Sequence, residues 1–520
     1  MSALKGNLIM FCVAAALLSR TAQGAVDQVT IDSGQVKGRI EGSVVSFKGI
    51  PFADPPVGAN RWRAPQPVHP WRVVRQATEY GADCMQNPFP GDAAPLGVTP
   101  REDCLYANVW APATRTSQKL AVMVWIYGGG FVNGGSSPAV YSGSHFAERG
   151  VVLISFNYRV GRFGFFAHPA LTRENPTGPL GNYAYLDQIA ALEWVRRNAA
   201  AFGGDPANVT IFGESAGGGS VLMLLTSPMA HGLFQKAIIE SGGGRSNRVF
   251  PQKSLQEGEA VGVAFAKANG ITGEDEAALK ALRDLPADTV VNKLNMATMG
   301  AAAGTYAGPM VDGKIVVETP DKAFRAGHQA KVPLIAGANS ADIGFSMAKT
   351  FDDVYAPFGD NRKKAESAWN AEGSTNVRTV GSAVAMDTMM VEPARFIVSM
   401  MAAAGQPAYE YRFSYVAEAM RKQWKGAPHA TEIPFVFDTV AARYTDKLTD
   451  QDEKMGAAAN KYWVAFAKTG DPDSAGGPKW PKYTAGQDMI LDFTESGPVA
   501  EADPWKDRLD LISGVASSGH

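Results

Sequence analysis

The chain has 520 residues, 45% of them hydrophobic and 19% charged, with a formal net charge of −2. This is the composition of a soluble globular protein, and without a basic run or a Lys/Arg-rich tail it offers nucleic acid no electrostatic footprint. The length would suit several domains, yet no repeat, low-complexity tract or linker divides it, so one large α/β domain over 25–520 is expected.

The first residues stand apart. Lys5 precedes an apolar run from Leu8 to Leu18 that is too short to span a bilayer, and Ala22-Gln-Gly24 places small residues where a signal peptidase reads. A signal peptide over 1–24 is expected, cleaved after Gly24, giving a secreted or periplasmic protein with no membrane contact once it is removed. That segment holds two of the 49 basic residues and no acid, leaving 47 basic against 51 acidic side chains, a net of −4. Cys12 departs with it. Cys84 and Cys104 remain, either as two separate thiols or as one closed loop, which would stabilise the fold by about 3 kcal/mol on the loop-entropy account.

From Gln28 to Phe47, β-branched and polar residues alternate between glycine breaks, which predicts an N-terminal antiparallel ribbon. Proline then imposes extended loop through Pro51-Phe-Ala-Asp-Pro-Pro56 and Pro65-Gln-Pro-Val-His-Pro70, with Trp62 and Trp71 to bury. Strands are expected at 105–110, 120–127, 151–158, 209–212, 236–240, 332–337 and 408–413. The nearly unbroken apolar runs among them mark a sheet covered on both faces. Helical patterning follows Asn182 and again spans Gly456 to Lys468, before a loop-rich close. Ala- and Lys-rich stretches near 250–331 and 345–400 read as helical insertions. Strands and helices alternate, so the sheet should be mostly parallel.

Val209-Thr-Ile-Phe-Gly-Glu-Ser-Ala-Gly217 is the stretch that carries chemistry. A short strand running into Gly-x-Ser-x-Gly is the sequence form of a nucleophile elbow, in which a strained strand-to-helix turn lifts the serine hydroxyl clear of the sheet. Ser215 is the candidate nucleophile, and Ala216 N–H at the helix start is aimed where an oxyanion would form. Gly128-Gly-Gly130, at the end of the 120–127 strand, can turn further N–H groups to one spot; a plain flexible turn is the alternative.

A serine hydroxyl needs a base, and the base a carboxylate to fix its tautomer. In this elbow context the chain order is Ser, then acid, then His. Of the seven histidines, only His429 and the terminal His520 follow a plausible acid. His429 is therefore the candidate base. Asp342, on the loop after the 332–337 strand, is the candidate acid, with a helix cap or solvated loop residue as its alternative reading.

With these parts in view the chain resembles a type-B carboxylesterase, the α/β-hydrolase family that includes cholinesterases and bacterial para-nitrobenzyl esterases. The resemblance covers nearly all of 25–520 through Pro51-Phe-Ala-Asp-Pro-Pro56, Glu102-Asp-Cys-Leu-Tyr106, Phe156-Asn-Tyr-Arg159, Leu186-Asp-Gln188, Phe202-Gly-Gly-Asp-Pro206 and Thr469-Gly-Asp-Pro472. It implies an α/β-hydrolase fold, with a large, mostly parallel twisted sheet and helical insertions over the active-site edge. It implies a serine esterase with Ser215 as nucleophile, His429 as base and Gly129, Gly130 and Ala216 as oxyanion donors. A Cys84–Cys104 disulfide and the ion pairs Arg61–Glu102 and Arg159–Asp187 are implied as well. The acid departs from the family pattern, which usually has Glu followed by Gly; here Asp342 precedes Ile343 and Gly344.

Two further departures concern substrate. The loop from Cys84 to Cys104 has no tryptophan to hold a quaternary ammonium by cation–π contact, which argues against a choline ester. The segment after Ser241 reads Gly-Gly-Gly-Arg-Ser-Asn-Arg248, polar where a pocket wall would be apolar. Arg245 and Arg248 are thus expected as substrate-binding residues favouring polar or carboxylate-bearing acyl groups, with surface pairing to acids as the alternative. An amidase or acyltransferase using the same site, or a non-catalytic cholinesterase-like adhesion protein, are the competing functions. No ligand cluster or nucleotide fingerprint calls for a metal or cofactor. The partner expected is a small-molecule ester.

Overall fold

The computed structural model describes residues 25–115, 117–245 and 252–518. The expected signal segment 1–24, Arg248 and His520 lie outside the described residues. An eleven-stranded sheet runs through the molecule. Its strands in chain order are β1 (Arg39–Glu41), β2 (Val44–Pro51), β3 (Tyr106–Pro112), β4 (Leu120–Ile126), β5 (Val151–Phe156), β6 (Gly204–Glu214), β7 (Lys236–Glu240), β8 (Leu334–Asn339), β9 (Ala408–Phe413), β10 (Met489–Thr494) and β11 (Gly497–Ala502). Across the sheet the order is β11-β10-β9-β8-β7-β6-β4-β5-β3-β2-β1.

The strands from β10 to β5 in that order pair in parallel, and both edges are antiparallel. The expectation of a mostly parallel sheet with an antiparallel N-terminal region holds. A second hairpin, Gln28–Ile31 with Gly34–Lys37, forms the start of that region. Every residue of β5 and β7 is buried, as is all of β4 after Leu120, which is why their sequences carry no polar alternation.

Chain order sets the geometry of the site. The chain passes from β4 to β5 on one side, then returns to place β6 on the other side of β4, so β4 and β6 are neighbours at the point where winding reverses. In such sheets ligands bind outside the carboxyl ends of the strands at that reversal. The segments leaving β4 and β6 there are Gly128–Gly130 and Ser215.

The helices that matter for the site are α1 (Tyr183–Asn198), α2 (Ala216–Thr226), α3 (Glu392–Ala403), α4 (Asp450–Thr469) and α5 (Lys506–Ser518). α4 begins earlier than its periodicity indicates because Thr449 caps it: its hydroxyl accepts from Asp452 N–H while the Asp452 carboxylate accepts from Thr449 N–H. Helices Leu255–Ala268 and Glu276–Arg283 lie within 250–331, and Arg362–Trp369 and Val377–Met386 within 345–400.

The loop-rich close is a correction. β10, β11 and α5 occupy it. β11 is an edge strand, Gly-Pro-Val-Ala-Glu-Ala, only partly covered, so neither a buried run nor a clean alternation marks it.

Candidate active site

Ser215 sits between β6 and α2 at φ 55°, ψ −122°, a backbone conformation that few non-glycine residues adopt. The turn closes because the glycines beside it let backbone pass. A Cβ on Gly217 would lie 2.0 Å from Ile126 O, and one on Gly213 would lie 2.5 Å from the same oxygen. Ser215 N–H donates to Glu240 O at 2.9 Å, which ties the turn to β7. The glycine turn after β4 runs alongside, since a Cβ on Gly128 would stand 3.0 Å from Ser215 Cβ. Gly129 and Gly130 hold φ of 109° and 63°. Among the described residues, no hydrogen bond takes the N–H of Gly129, Gly130 or Ala216 as donor.

Two loops bring the other candidates together. Ala341 N–H donates to Ala427 O at 2.9 Å, Ala427 N–H to Ser340 Oγ at 3.0 Å, and Asn339 Nδ2 to Pro428 O at 2.7 Å. With the loops so laced, His429 Nδ1 meets Asp342 Oδ1 at 2.6 Å. The rest of the Asp342 carboxylate is occupied too. Oδ2 accepts from Ser241 Oγ at 2.6 Å and from Asn339 N–H at 3.0 Å, and Oδ1 from Ile343 N–H at 2.8 Å. Burial alone would raise the Asp342 pKa, but the His429 charge and these donors hold it below the usual carboxylate value. The shorter Asp side chain reaches the imidazole because its loop is pinned to the histidine loop.

His429 Nε2 stands 3.1 Å from Glu214 Oε1, and among the described residues no hydrogen bond joins Ser215 Oγ to the ring. The contact lacks hydrogen-bond geometry, and Glu214 Oε1 is buried without a hydrogen-bond partner among the described residues. Burial drives Glu214 well above the ordinary carboxylate pKa, opposed by the His429 charge. Burial would lower His429, but Glu214 and Asp342 outweigh it and hold the ring above the ordinary imidazole value. Glu432, pushed up to about 7 by burial, bonds Asn339, and Glu240 accepts from Trp463 Nε1 at 2.7 Å. Glu214, Ser241, Asn339 and Glu432 went unassigned in the sequence reading. Only Glu214, inside the Gly-x-Ser-x-Gly motif, and Ser241, closing the strand before the polar segment, stood where a signal could have pointed to them.

Arg245 is placed otherwise than expected. Its guanidinium is 8% exposed, bonds Glu392 on α3 through Nε and Nη2, lies 3.8 Å from Asp321 and stacks 3.9 Å over the Phe396 ring. It borders a cavity with Arg395, Lys506 and Asp510 whose lining includes none of the residues gathered around Ser215. A buried guanidinium already paired with carboxylate is spent, so the reading of Arg245 as a substrate-binding residue is withdrawn.

The pairings expected from resemblance are present. Cys84 and Cys104 form a disulfide. Arg61 grips Glu102 at 2.9 and 2.6 Å, and Arg159 grips the fully buried Asp187 at 2.8 and 2.7 Å.

Comparison with known proteins follows the same lines. The carboxylesterase family profile matches residues 25–379 and 362–507. A para-nitrobenzyl esterase of Bacillus subtilis is 37% identical over 488 residues, covering 89% of this chain and 94% of its own length. A fumonisin B1 esterase of Sphingopyxis macrogoltabida is 34% identical over 467 residues, 87% of this chain and 83% of its own, and a cholinesterase of Mus musculus is 35% identical over 507 residues, 89% and 82%. A solved PNB esterase superposes with a TM-score of 0.79 at 32% identity, covering 94% of this chain and 99% of that one. With profile, relatives and fold in agreement, the chain belongs to the carboxylesterase family of α/β-hydrolases and is a carboxylic ester hydrolase.

Proposed function

We propose that the protein is an exported serine carboxylesterase working through a Ser215–His429–Asp342 triad and an acyl-enzyme, with residues 25–520 forming one domain after loss of the signal peptide. Ser215 Oγ attacks the ester carbonyl while His429 Nε2 takes its proton, and Asp342 accepts from Nδ1–H, fixing the tautomer that leaves Nε2 basic. Gly129, Gly130 and Ala216 N–H groups stabilise the oxyanion. The tetrahedral intermediate then expels the alcohol, which receives the proton from His429. Water repeats the sequence to release the acid. During turnover Nε2 serves the serine, with Glu214 Oε1 3.1 Å away and not hydrogen-bonded to it.

The observation that carries this reading is the 2.6 Å bond between His429 Nδ1 and Asp342 Oδ1, at the end of the sheet where the elbow presents Ser215. Nitrophenyl esters of short and long acids supply the assay. Ser215→Ala and His429→Ala should each lower kcat by about four orders of magnitude or more, with the double variant little worse, because the residues act as a unit. Asp342→Asn should lose less, yet still by orders of magnitude. Near-normal turnover by Asp342→Asn would remove it from the triad. Asp387 is engaged with Arg508 and Trp369 Nε1, which leaves it unsuited to replace Asp342.

A further inference from the structure

Arg162 is 1% exposed, and among the described residues every hydrogen bond of its guanidinium goes to a neutral oxygen. Holding a buried cation without a carboxylate partner costs stability, so what these bonds hold in place matters. Nη1 donates to Val291 O at 2.9 Å and Val290 O at 3.2 Å, the carbonyls ending the short helix Ala287–Val291. Nε donates to Thr305 O and Nη2 to Thr305 Oγ1, each at 2.8 Å. A single planar fork therefore closes the two ends of the 292–304 loop.

The loop needs closing. Its first two residues, Asn292 and Lys293, hold φ of 42° and 58°, left-handed geometry that persists in non-glycine residues only where the surroundings impose it. Its middle lies against the candidate oxyanion turn. Met296 N–H donates to the buried Asn133 Oδ1 at 2.9 Å, and a Cβ on Gly130 would meet Met296 Cγ at 3.4 Å and Met299 Sδ at 3.7 Å. The main chain beside Arg162 is tied to the same turn, with Gly161 N–H donating to Phe131 O at 2.7 Å. Side chain and backbone at this point thus link the loop and the turn as one unit.

We propose that Arg162 is a positioning residue for substrate selection: by closing the 292–304 loop it holds Met296 and Met299 as a fixed roof over Gly130 and limits the length of acyl group accepted beside Ser215. This rests on the reading of Ser215 as nucleophile and Gly130 as oxyanion donor. Arg162→Lys keeps the charge, but one ammonium cannot bond both ends of the loop. Thr305→Val is milder, removing at nearly constant shape the Oγ1 that accepts from Arg162 Nη2 and donates weakly to Ala302 O at 3.3 Å.

The test is kcat/KM for nitrophenyl acetate, butyrate and octanoate in wild type and both variants, with thermal unfolding to confirm that each is folded. The octanoate-to-acetate ratio should rise about fivefold or more in Arg162→Lys and about twofold in Thr305→Val, since a relaxed apolar wall changes discrimination by a methylene or two. Acetate turnover should stay within about threefold of wild type, because the roof does not touch the reacting atoms. A purely structural Arg162 would lower all three esters together and leave the ratio unchanged. An unchanged ratio in folded Arg162→Lys, or in Thr305→Val if the lysine variant does not fold, overturns the proposal. Ser215→Ala run alongside separates the two readings: retained turnover there would sink the site assignment, whatever the ratios show.

Discussion

His429 lies between carboxylates that make opposite demands on it. In the proposed triad Asp342 at Nδ1 favours the catalytic tautomer and stabilises the imidazolium, whereas Glu214 Oε1 lies 3.1 Å from the Nε2 that serves the serine. Their combined charge raises the imidazole pKa even though burial lowers it. As the proposed base, His429 works only when neutral, so the acid limb of kcat/KM should lie above the ordinary imidazole range. Glu214→Gln removes the ionisable carboxyl 3.1 Å from Nε2. The imidazolium then loses stabilisation, its pKa falls, and the acid limb should move to lower pH by about one unit or more. A pH profile of the variant that overlays wild type would show that Glu214 carries its proton throughout and exerts no charge on the ring.

At the scale of elements, the proposed oxyanion turn depends on a disulfide loop far from it in sequence. Gln86, two residues after Cys84, accepts from Gly134 N–H at 2.9 Å and donates to Gly134 O at 2.6 Å and Cys84 O at 2.9 Å. Asn133 Nδ2 completes the set, donating to Gln86 Oε1 at 3.2 Å and Asn87 O at 2.8 Å. These amides are buried and paired, so they transmit the position of the loop to the glycine turn. Replacing both cysteines by serine should cost about 3 kcal/mol of stability by loop entropy, read as a lower urea midpoint. Thiol labelling of the unreduced wild-type protein should find no free cysteine. An unchanged midpoint would mean that the loop is held by its side-chain amides alone.

Across the whole molecule, the second insertion keeps its own small core. Val354, Tyr355, Phe358, Ala365 and Val380 pack with Ile512 of α5 rather than with the main cluster. α5 also holds α3 and the turn before it: Arg395 pairs with Asp510 at 2.8 Å, Arg508 with Asp387 at 2.7 Å, and Ser513 Oγ donates to Glu392 at 2.6 Å. The C-terminal helix therefore straps the insertion to the sheet. A chain stopped after Trp505 should keep the central sheet, by far-UV circular dichroism, while trypsin cuts within 345–391 much faster than in the full chain. Equal protection in both would show that the small core stands without α5.

Local patterning in the sequence determined a good part of this arrangement. The elbow was legible because its backbone geometry depends on residues within two positions of Ser215. The central strands were legible because burial on both faces leaves only apolar side chains. Chain order singled out His429 and Asp342, and the structure brings that pair into contact. What only the tertiary structure decided were partnerships between residues distant in sequence. Ser241 finds Asp342 across 101 residues, and Arg245 finds Glu392 across 147 instead of a pocket wall. Arg162, unremarkable in its motif, joins Val291 to Thr305, and β11 exists because β10 offers it an edge. Backbone turns and buried runs are set by neighbours along the chain. The partner of a guanidinium or carboxylate is set by which charged or polar groups the packed elements leave within reach, and that is decided only when the elements come together.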